Sequence, residues 1–174
     1  MKKQGLLVFC LLITSFVFSQ TNNTEASLSK SDNIKLDFTF LAENKKKIAV
    51  KDAQLTQAYQ QLTTEANQLL NYKPVTVIQK TATPPSGNKH DYMSIGPYWW
   101  PDPTKPNGLP YIRKDGEVNP EVHDYPDKEN MPKLCSNVQT LALAYYYSNN
   151  EKYAQHASKL LEVWFLDSAT KMNP

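Results

Sequence analysis

A long segment dense in proline and glycine interrupts the helical parts of this chain. It runs from His90 to Glu121 with the sequence HDYMSIGPYWWPDPTKPNGLPYIRKDGEVNPE, and its apolar residues follow neither a helical nor an alternating pattern. Ten of the 12 prolines lie between Pro84 and Pro132, and four of the five glycines lie there too. Residues of this kind mark turns and loops. The sequence therefore predicts one long irregular segment between helices.

The aromatic content of this segment indicates that it is ordered and functional. Loops of this length in compact domains are usually either functional or disordered, and disordered segments are poor in aromatic residues. Sugar rings present C–H faces that stack on aromatic side chains, and a guanidinium can pair with a carboxylate through two parallel hydrogen bonds. A sugar-binding loop is therefore predicted, with these aromatic residues and the single arginine of the chain: Tyr92, Tyr98, Trp99, Trp100, Tyr111 and Arg113.

Apolar residues at three- and four-residue spacing predict a helix before the loop. Helical signals begin near Asp37 and strengthen from Asp52, and the helix ends by Pro74. Val75 to Ile78 is a short β-like run, but no strand pattern in the chain is strong enough to build a sheet. The apolar stripe of the helix consists of Leu55, Ala58, Leu62, Ala66 and Leu69.

Two more helices are predicted after the loop. The first begins at Leu134, and a turn at Ser148 to Asn150 leads directly into the second. Helices joined by so short a turn lie antiparallel, as a helical hairpin. We therefore expect an all-α fold of antiparallel helical hairpins with one long proline- and aromatic-rich loop. The predicted core positions are Val138, Leu141, Ala142 and Tyr145 in the first helix, and Tyr153, Ala157, Leu160, Leu161 and Trp164 in the second.

The first 19 residues have the features of a signal peptide. Two lysines precede an apolar run from Leu6 to Phe18, which is short for a membrane-spanning helix. We expect its removal, export to the periplasm or the medium, and no stable membrane anchor. Residues 20–36 are rich in Ser, Thr and Asn, which predicts a flexible tail.

Charge and cysteine content exclude several classes of ligand. The chain has 19 basic and 17 acidic residues, and loss of Lys2 and Lys3 with the signal peptide lowers the formal charge from +2 to 0. Nucleic acid is not an expected partner, because proteins that bind it usually carry a basic face. Cys135 is the lone cysteine after cleavage, which excludes a disulfide within the chain. Neither His123 nor His156 has a second ligand at metal-binding spacing, so we expect no metal site.

Four sequence blocks, in order, carry a resemblance to a known family: HDYMSIGPYWWPDP, LPYIRKDGEVNPE, LALAYYYSNNEKYAQHASKLLEVWF and LDSATKMNP. They resemble the alginate lyase domain of secreted bacterial polysaccharide lyases, from about Lys89 to the C-terminus. The resemblance implies that residues 37–174 form the N-terminal portion of an α/α toroid with a central cleft. It also implies β-elimination on an anionic polysaccharide, a uronate polymer of the alginate or glucuronan type, and we expect no cofactor.

β-Elimination requires a group that neutralises the substrate carboxylate, a base and an acid. Enzymes similar to this chain use an Asn and His block for much of this work, and the resemblance does not extend to that block. We therefore expect catalysis by this chain alone to be incomplete. The catalytic candidates present are His90, Tyr98 and Tyr111, and the substrate-binding candidates are Trp99, Trp100, Tyr98, Tyr111, Arg113 and Lys105.

Each candidate also has a structural interpretation. Arg113 could form a salt bridge with Asp115 or Glu117, His90 could hold the loop together, and both tryptophans could anchor the loop to the helices. Asn119 is expected to cap or brace the loop. The alternative function is a glycan-binding fragment without elimination chemistry. A glycoside hydrolase needs two carboxylates at a defined separation, and sequence spacing singles out no pair among Asp91, Asp102, Asp115, Glu117 and Glu121. The polymer and the oligomeric state stay open.

Overall fold

Two helices precede the long loop. Helix α1 spans Phe38–Ala49 and helix α2 spans Ala53–Leu69. Asp52 caps α2, because its side-chain oxygen accepts a hydrogen bond from the backbone N–H of Leu55 at 3.0 Å. The predicted stripe on α2 is confirmed in the C-terminal half of the helix, where Ala66 is buried and the core also contacts Leu62 and Leu69. The prediction is wrong for Ala58, which is exposed because the N-terminal half of α2 lies outside the core.

The structure is a computed structural model that describes residues 37–174. Of these, Phe38–Pro174 pack as one unit. The predicted signal peptide at residues 1–19 and the predicted tail at residues 20–36 lie outside the described residues. Within the described range, no helix is long and apolar enough to cross a membrane.

The predicted hairpin is confirmed as helix α3, Asp127–Ser148, followed by helix α4, Glu151–Leu161. The predicted start of α3 at Leu134 is wrong, because the helix begins seven residues earlier. Sequence reasoning placed Pro132 in the loop, since proline inside a helix removes a backbone donor. Here Pro132 lies in the second turn of α3, where its missing N–H leaves only one helical carbonyl without its usual partner.

A two-residue turn joins α3 to α4. Asn149 adopts the left-handed conformation at φ 55°, and its N–H bonds to the carbonyl of Tyr145 at 2.7 Å. Asn150 then caps α4, because its side-chain oxygen accepts from the N–H of Lys152 at 3.2 Å. Asparagine tolerates both conformations, which explains why this pair ends one helix and begins the next.

The hydrophobic core lies where α2, α3 and α4 meet. Trp164, Leu141 and Leu160 are its largest fully buried apolar side chains. The hydroxyl of Tyr153 on α4 donates to Asn67 Oδ1 on α2 at 2.9 Å, which links two of the helices across the core. The buried apolar residues of the core are Ala66, Val77, Leu134, Leu141, Ala144, Tyr153, Ala157, Leu160 and Trp164.

Three predicted core positions are wrong. The buried face of α3 passes through Leu141 and Ala144, and this rotation places Ala142 and Tyr145 in solvent. The hydroxyl of Tyr145 donates to Glu151 Oε1 across the turn at 3.1 Å. Leu161 is also exposed, because the buried face of α4 continues through Trp164 instead.

The long loop contains a short sheet, contrary to the prediction that none would form. Strand β1, Trp99–Trp100, pairs antiparallel with strand β2, Ile112–Arg113. The predicted β-like run from Val75 to Ile78 is also wrong, since Val77–Gln79 is a 3-10 turn.

The all-α class and the hairpin are confirmed, whereas closure of a toroid stays a prediction. Other short elements are a 3-10 turn at Pro120–Asp124 and a π-helical turn at Glu162–Leu166.

Candidate functional site

A buried ion pair fixes the start of the long loop. The Lys80 ammonium lies 2.9 Å from Asp127 Oδ2, and both side chains are almost fully inaccessible to solvent. The same ammonium donates to the carbonyls of Lys89 at 2.8 Å and Asp91 at 2.9 Å, and to that of Val77. Four oxygens therefore surround one buried cation, and two of them belong to residues on either side of His90.

Asp127 connects this cation to helix α3. It is the first residue of α3, where a negative charge is favoured by the helix dipole. Its Oδ2 also accepts from the backbone N–H of Met93 at 3.0 Å, whereas its Oδ1 is buried without a hydrogen-bond partner among the described residues. Sequence reasoning missed both Lys80 and Asp127, because a lone lysine in a loop carries no signal of burial.

The C-terminal segment holds the beginning of the loop from the other side. The backbone N–H of Asn173 bonds to the carbonyl of His90 at 2.9 Å, and Asn173 Nδ2 donates to Asp91 Oδ1 at 2.7 Å. Hydrogen bonds from Ser86 and then Asn173 lower the pKa of Asp91, with smaller contributions from the charges of Lys80 and His90. Asp91 therefore stays ionised at neutral pH and accepts the hydrogen bond from Asn173. We call these contacts of the C-terminal segment with His90 and Asp91 the clasp.

The clasp also selects the proton position on His90. Its Nδ1 lies 2.6 Å from the carbonyl oxygen of Lys171, and a carbonyl only accepts, so Nδ1 carries the hydrogen. In the neutral ring, Nε2 then carries the lone pair. Nε2 forms no hydrogen bond within residues 37–174. His90 thus acts as the loop clasp considered from the sequence and still offers one basic nitrogen.

A tight turn presents Trp99 at the surface. The N–H of Trp99 bonds to the carbonyl of Gly96 at 3.1 Å, which closes a turn with Pro97 at its second position. A Cβ on Gly96 would lie 2.6 Å from Trp99 Cδ1, so the indole rests directly against this glycine. Trp99 itself is 46% exposed. Glycine at position 96 is therefore required for the observed position of the ring.

The register of the small sheet pairs Trp99 with Arg113. The N–H of Lys114 bonds to the carbonyl of Tyr98 at 2.9 Å, so the Trp99–Arg113 pair is a non-hydrogen-bonded pair, the closer of the two kinds. Side chains of directly opposite residues project from the same face, with Cβ atoms about 4.5–5.5 Å apart. The exposed side chains of Trp99 and Arg113 therefore leave the sheet from adjacent positions on one face. We call this pair the Trp99–Arg113 platform.

Asn119 braces the loop, as predicted, and in particular the strand that carries the platform. Its Nδ2 donates to the carbonyl of Trp99 at 2.8 Å, and its backbone N–H bonds to the carbonyl of Pro97 at 2.7 Å. Its Oδ1 accepts from the N–H of Glu121 at 3.0 Å. Asn119 is only 1% exposed, so one buried amide fixes the backbone of the turn and of strand β1.

The opposite face of the sheet anchors the loop. Trp100 is half-buried, and its Nε1 donates to the carbonyl of Glu117 at 2.9 Å. The Lys114 ammonium lies 4.8 Å from the centroid of the Trp100 indole, which places a cation over the ring. Adjacent strand residues face opposite sides, so the two tryptophans divide into an anchored one and an exposed one. Tyr98 is 41% exposed, and its phenol has no partner among the described residues.

Tyr111 donates its hydroxyl to Glu121 Oε2 at 2.8 Å. This hydrogen bond, with smaller contributions from burial and the Glu121 charge, raises the pKa of Tyr111 to about 12. The phenol is therefore protonated at neutral pH and already engaged. At neutral pH this phenol can act only as an acid, and its raised pKa makes it a weaker acid than an ordinary tyrosine.

We expect one phenol of the folded protein to ionise near pH 12. Replacing Glu121 with Gln removes the carboxylate charge, so the pKa of Tyr111 should fall toward its ordinary value of about 10. The measurement is a spectrophotometric titration of phenolate absorbance. Tyr111→Phe assigns the signal, because the late-ionising phenol must disappear in that variant. A Glu121→Gln titration identical to that of the parent would contradict this assignment.

Arg113 and Lys105 differ in how strongly they are held. Arg113 Nε pairs with Asp115 Oδ1 at 2.6 Å, but its side chain is 62% exposed and its terminal nitrogens have no partner among residues 37–174.

Lys105 is exposed near the tip of the β1–β2 connection, in a turn closed between Asp102 and Gly108. Gly108 has φ +70°, and a Cβ there would lie 2.8 Å from Pro101.

The structure thus brings together only part of the predicted site. Trp99 and Arg113 share one face, and Trp100 and Tyr111 are engaged in holding the loop. No hydrogen bond or ion pair joins the catalytic candidates His90, Tyr98 and Tyr111 to one another in the described part of the chain. That part also contains no group of three or more His, Cys, Asp or Glu residues that could hold a metal ion.

Comparisons with known proteins agree with the sequence blocks. The family profile for alginate lyase matches residues 76–174. A solved structure of an alginate lyase from Bacteroides ovatus is similar to this chain, with 51% sequence identity and a TM-score of 0.65. The match covers 77% of this chain and 34% of that one, so the chain spans about a third of the length of that relative. A search of curated proteins found no match.

Proposed function

Because the chain belongs to the alginate lyase family, we propose that its long loop binds a uronate polysaccharide for cleavage by β-elimination. The family and the solved relative support a polysaccharide lyase. The finer proposal concerns what this chain supplies to such an enzyme. It supplies a substrate-facing surface on the loop and three candidate groups for proton transfer, His90, Tyr98 and Tyr111.

The Trp99–Arg113 platform carries this proposal. An indole face stacks on the C–H face of a pyranose ring, and a guanidinium with free terminal nitrogens donates two parallel hydrogen bonds to a carboxylate. A uronate residue offers both features in one unit. Asn119 and the turn at Gly96 hold the platform in place before any ligand binds, which reduces the entropy lost on binding.

The reaction places definite demands on the groups around the platform. A base removes the proton from C5 of the uronate, the C5 electron pair forms the C4–C5 double bond, and the C4–O4 bond breaks. The departing O4 receives a proton from an acid. We propose His90 Nε2 as a group able to take the C5 proton, since its lone pair is free. Tyr111 is the candidate donor to O4, Tyr98 is a second phenol that projects from the sheet face of Trp100, and Arg113 offsets the carboxylate charge.

The test is ultraviolet absorbance of the purified chain with alginate and, separately, with glucuronan, because the C4–C5 double bond absorbs. A rising signal supports elimination by these residues.

The sharpest variant is His90→Asn, whose side-chain amide can still donate to the carbonyl of Lys171 but has no atom in place of Nε2. Loss of the signal with unchanged thermal stability supports His90 as the base. An unchanged signal would remove His90 from the mechanism.

A glycan-binding role without elimination is the second candidate function. The observation that favours it is that no hydrogen bond joins His90, Tyr98 and Tyr111 to one another within residues 37–174. Two of these groups are already bonded elsewhere, His90 to Lys171 and Tyr111 to Glu121. A flat absorbance signal from folded protein that still binds a uronate oligomer would select this role over catalysis.

Substitutions on the platform should separate stacking from charge recognition. Arg113→Ala should weaken binding of trimannuronate by about tenfold and leave that of mannotriose, which lacks carboxylates, nearly unchanged. Trp99→Ala should weaken both trisaccharides by about threefold to tenfold, because stacking does not depend on charge. Isothermal titration calorimetry measures both effects.

Two further variants act as controls on the platform. Gly96→Ala should reproduce the loss caused by Trp99→Ala, since the new methyl group displaces the indole without removing it. Lys105→Met removes an exposed charge from the same loop and should have less effect than Arg113→Ala. Equal losses of both trisaccharides in Arg113→Ala would assign Arg113 to folding of the loop instead.

A further inference from the structure

A pocket lies beside the platform, where the loop meets the start of helix α3. Its volume is about 210 Å³. A space of this size lies below the range of pockets for larger ligands, about 300–1,000 Å³, and suits a single sugar ring and not a longer oligomer. The lining residues are Ile95, Pro97, Val122, Tyr125, Lys128 and Glu129.

The lining has the mixed chemistry that a sugar requires. Three residues supply apolar contact and Tyr125 supplies an aromatic ring, whereas the first turn of α3 contributes a cation and a carboxylate. Neither Lys128 nor Glu129 has a side-chain partner among the described residues. Two opposite charges that remain unpaired at an apolar pocket are available to a ligand that carries both an acid and hydroxyl groups.

The pocket and the platform are built from the same turn. Pro97 lines the pocket, and Trp99 follows it by two residues, so their Cα atoms are separated by at most about 7 Å. Asn119 holds both residues through their carbonyl oxygens. A sugar in the pocket and a sugar on the indole can therefore belong to one oligomer.

We propose that this pocket is a second uronate-binding subsite of the chain, adjacent to the platform. It takes one uronate residue, with the carboxylate at the Lys128 ammonium, the hydroxyl groups toward Glu129, and the ring against Tyr125 and Pro97. This inference rests on the proposed binding of a uronate polysaccharide by the long loop. It adds a specificity residue, Lys128, that no feature of the loop sequence indicates.

Calorimetric titration of the full chain with trimannuronate and with mannotriose tests the subsite. Lys128→Met should weaken trimannuronate binding by about threefold and leave mannotriose unchanged, as expected for one exposed charge pair. Lys152→Met is the matched control, because Lys152 is likewise the exposed second residue of a helix. Val122→Phe, which fills the pocket, should weaken both trisaccharides.

The outcomes distinguish this subsite from the platform. Parent-like trimannuronate binding in both Lys128→Met and Val122→Phe, together with weaker binding in Trp99→Ala, overturns the subsite and leaves the platform standing. No binding of trimannuronate by the parent chain overturns both. An equal loss in Lys128→Met and Lys152→Met also overturns the subsite, because it assigns the effect to net charge.

Discussion

Replacing Lys80 with Met is expected to lower the free energy of unfolding by about 3–5 kcal/mol. The substitution leaves the Asp127 carboxylate buried with one backbone N–H as its remaining hydrogen-bond donor, from Met93. It also leaves the carbonyls of Lys89 and Asp91 without the ammonium that now binds them. Equilibrium denaturation by urea measures the loss. The midpoint of the unfolding transition should move to a lower urea concentration, without a large change in the slope of the free energy of unfolding against urea concentration.

A double-mutant cycle tests whether the loss comes from the unpaired charge. Asp127→Asn alone should also destabilise the fold, but Lys80→Met combined with Asp127→Asn should cost less than the sum of the two, because no charge then stays buried. The exposed pair Lys159–Glu162 is the control, and Lys159→Met should change stability by less than about 1 kcal/mol. Strictly additive single and double losses would mean that the two side chains do not interact.

Trp164→Ala is expected to lower the free energy of unfolding by about 3–5 kcal/mol. Trp164 is fully buried in the core between the helices, and its removal leaves a cavity that the surrounding helices can fill only in part. A domain stabilised by about 5–15 kcal/mol loses a large share of its stability in this way. Thermal and chemical denaturation should both show the effect.

Two variants separate the contributions of Trp164. Its Nε1 is buried without a hydrogen-bond partner among the described residues. Trp164→Phe keeps most of the apolar volume and removes that unpaired donor, so it should cost much less than Trp164→Ala. Trp99→Ala should hardly change stability, because Trp99 is 46% exposed. If Trp99→Ala destabilises as much as Trp164→Ala, the surface position of the platform is wrong.

The two stability predictions concern the site as well as the fold. The Lys80–Asp127 pair holds the backbone on both sides of His90. The backbone carbonyl of Trp164 accepts a hydrogen bond from the N–H of Met172, and the next residue, Asn173, bonds to His90 and Asp91. The loop therefore depends on the helices for its position. Binding measurements on destabilised variants need to be made below their unfolding transitions.

The helices and the hairpin could be predicted because short-range residue patterns determine them. The stripe through Ala66 on α2 and the asparagine pair at 149 and 150 identify a helix and a hairpin from neighbouring residues alone. The rotation of α3 could not be set in the same way. Leu141 and Tyr145 are both compatible with an apolar stripe, and only the packing of α3 against α2 and α4 selects the face that is buried.

The long loop shows a different division. The sequence alone identified the segment that holds the platform. The features that identified it are its density of proline, its aromatic residues and its family blocks. A two-residue strand is too short to show alternation, so the sheet between β1 and β2 was not predicted. The pairing of Trp99 with Arg113, 14 positions later in the chain, is a matter of register between distant residues.

The sequence by itself therefore determined the helices, the hairpin, the irregular loop and the family, since each of these depends on residue order within short stretches. The tertiary structure alone decided which tryptophan faces solvent, which face of α3 is buried, and that Lys80 is buried against Asp127. The physical reason is the same in all three cases. Burial and charge pairing depend on residues far apart in the chain, and their contacts exist only after the helices have packed.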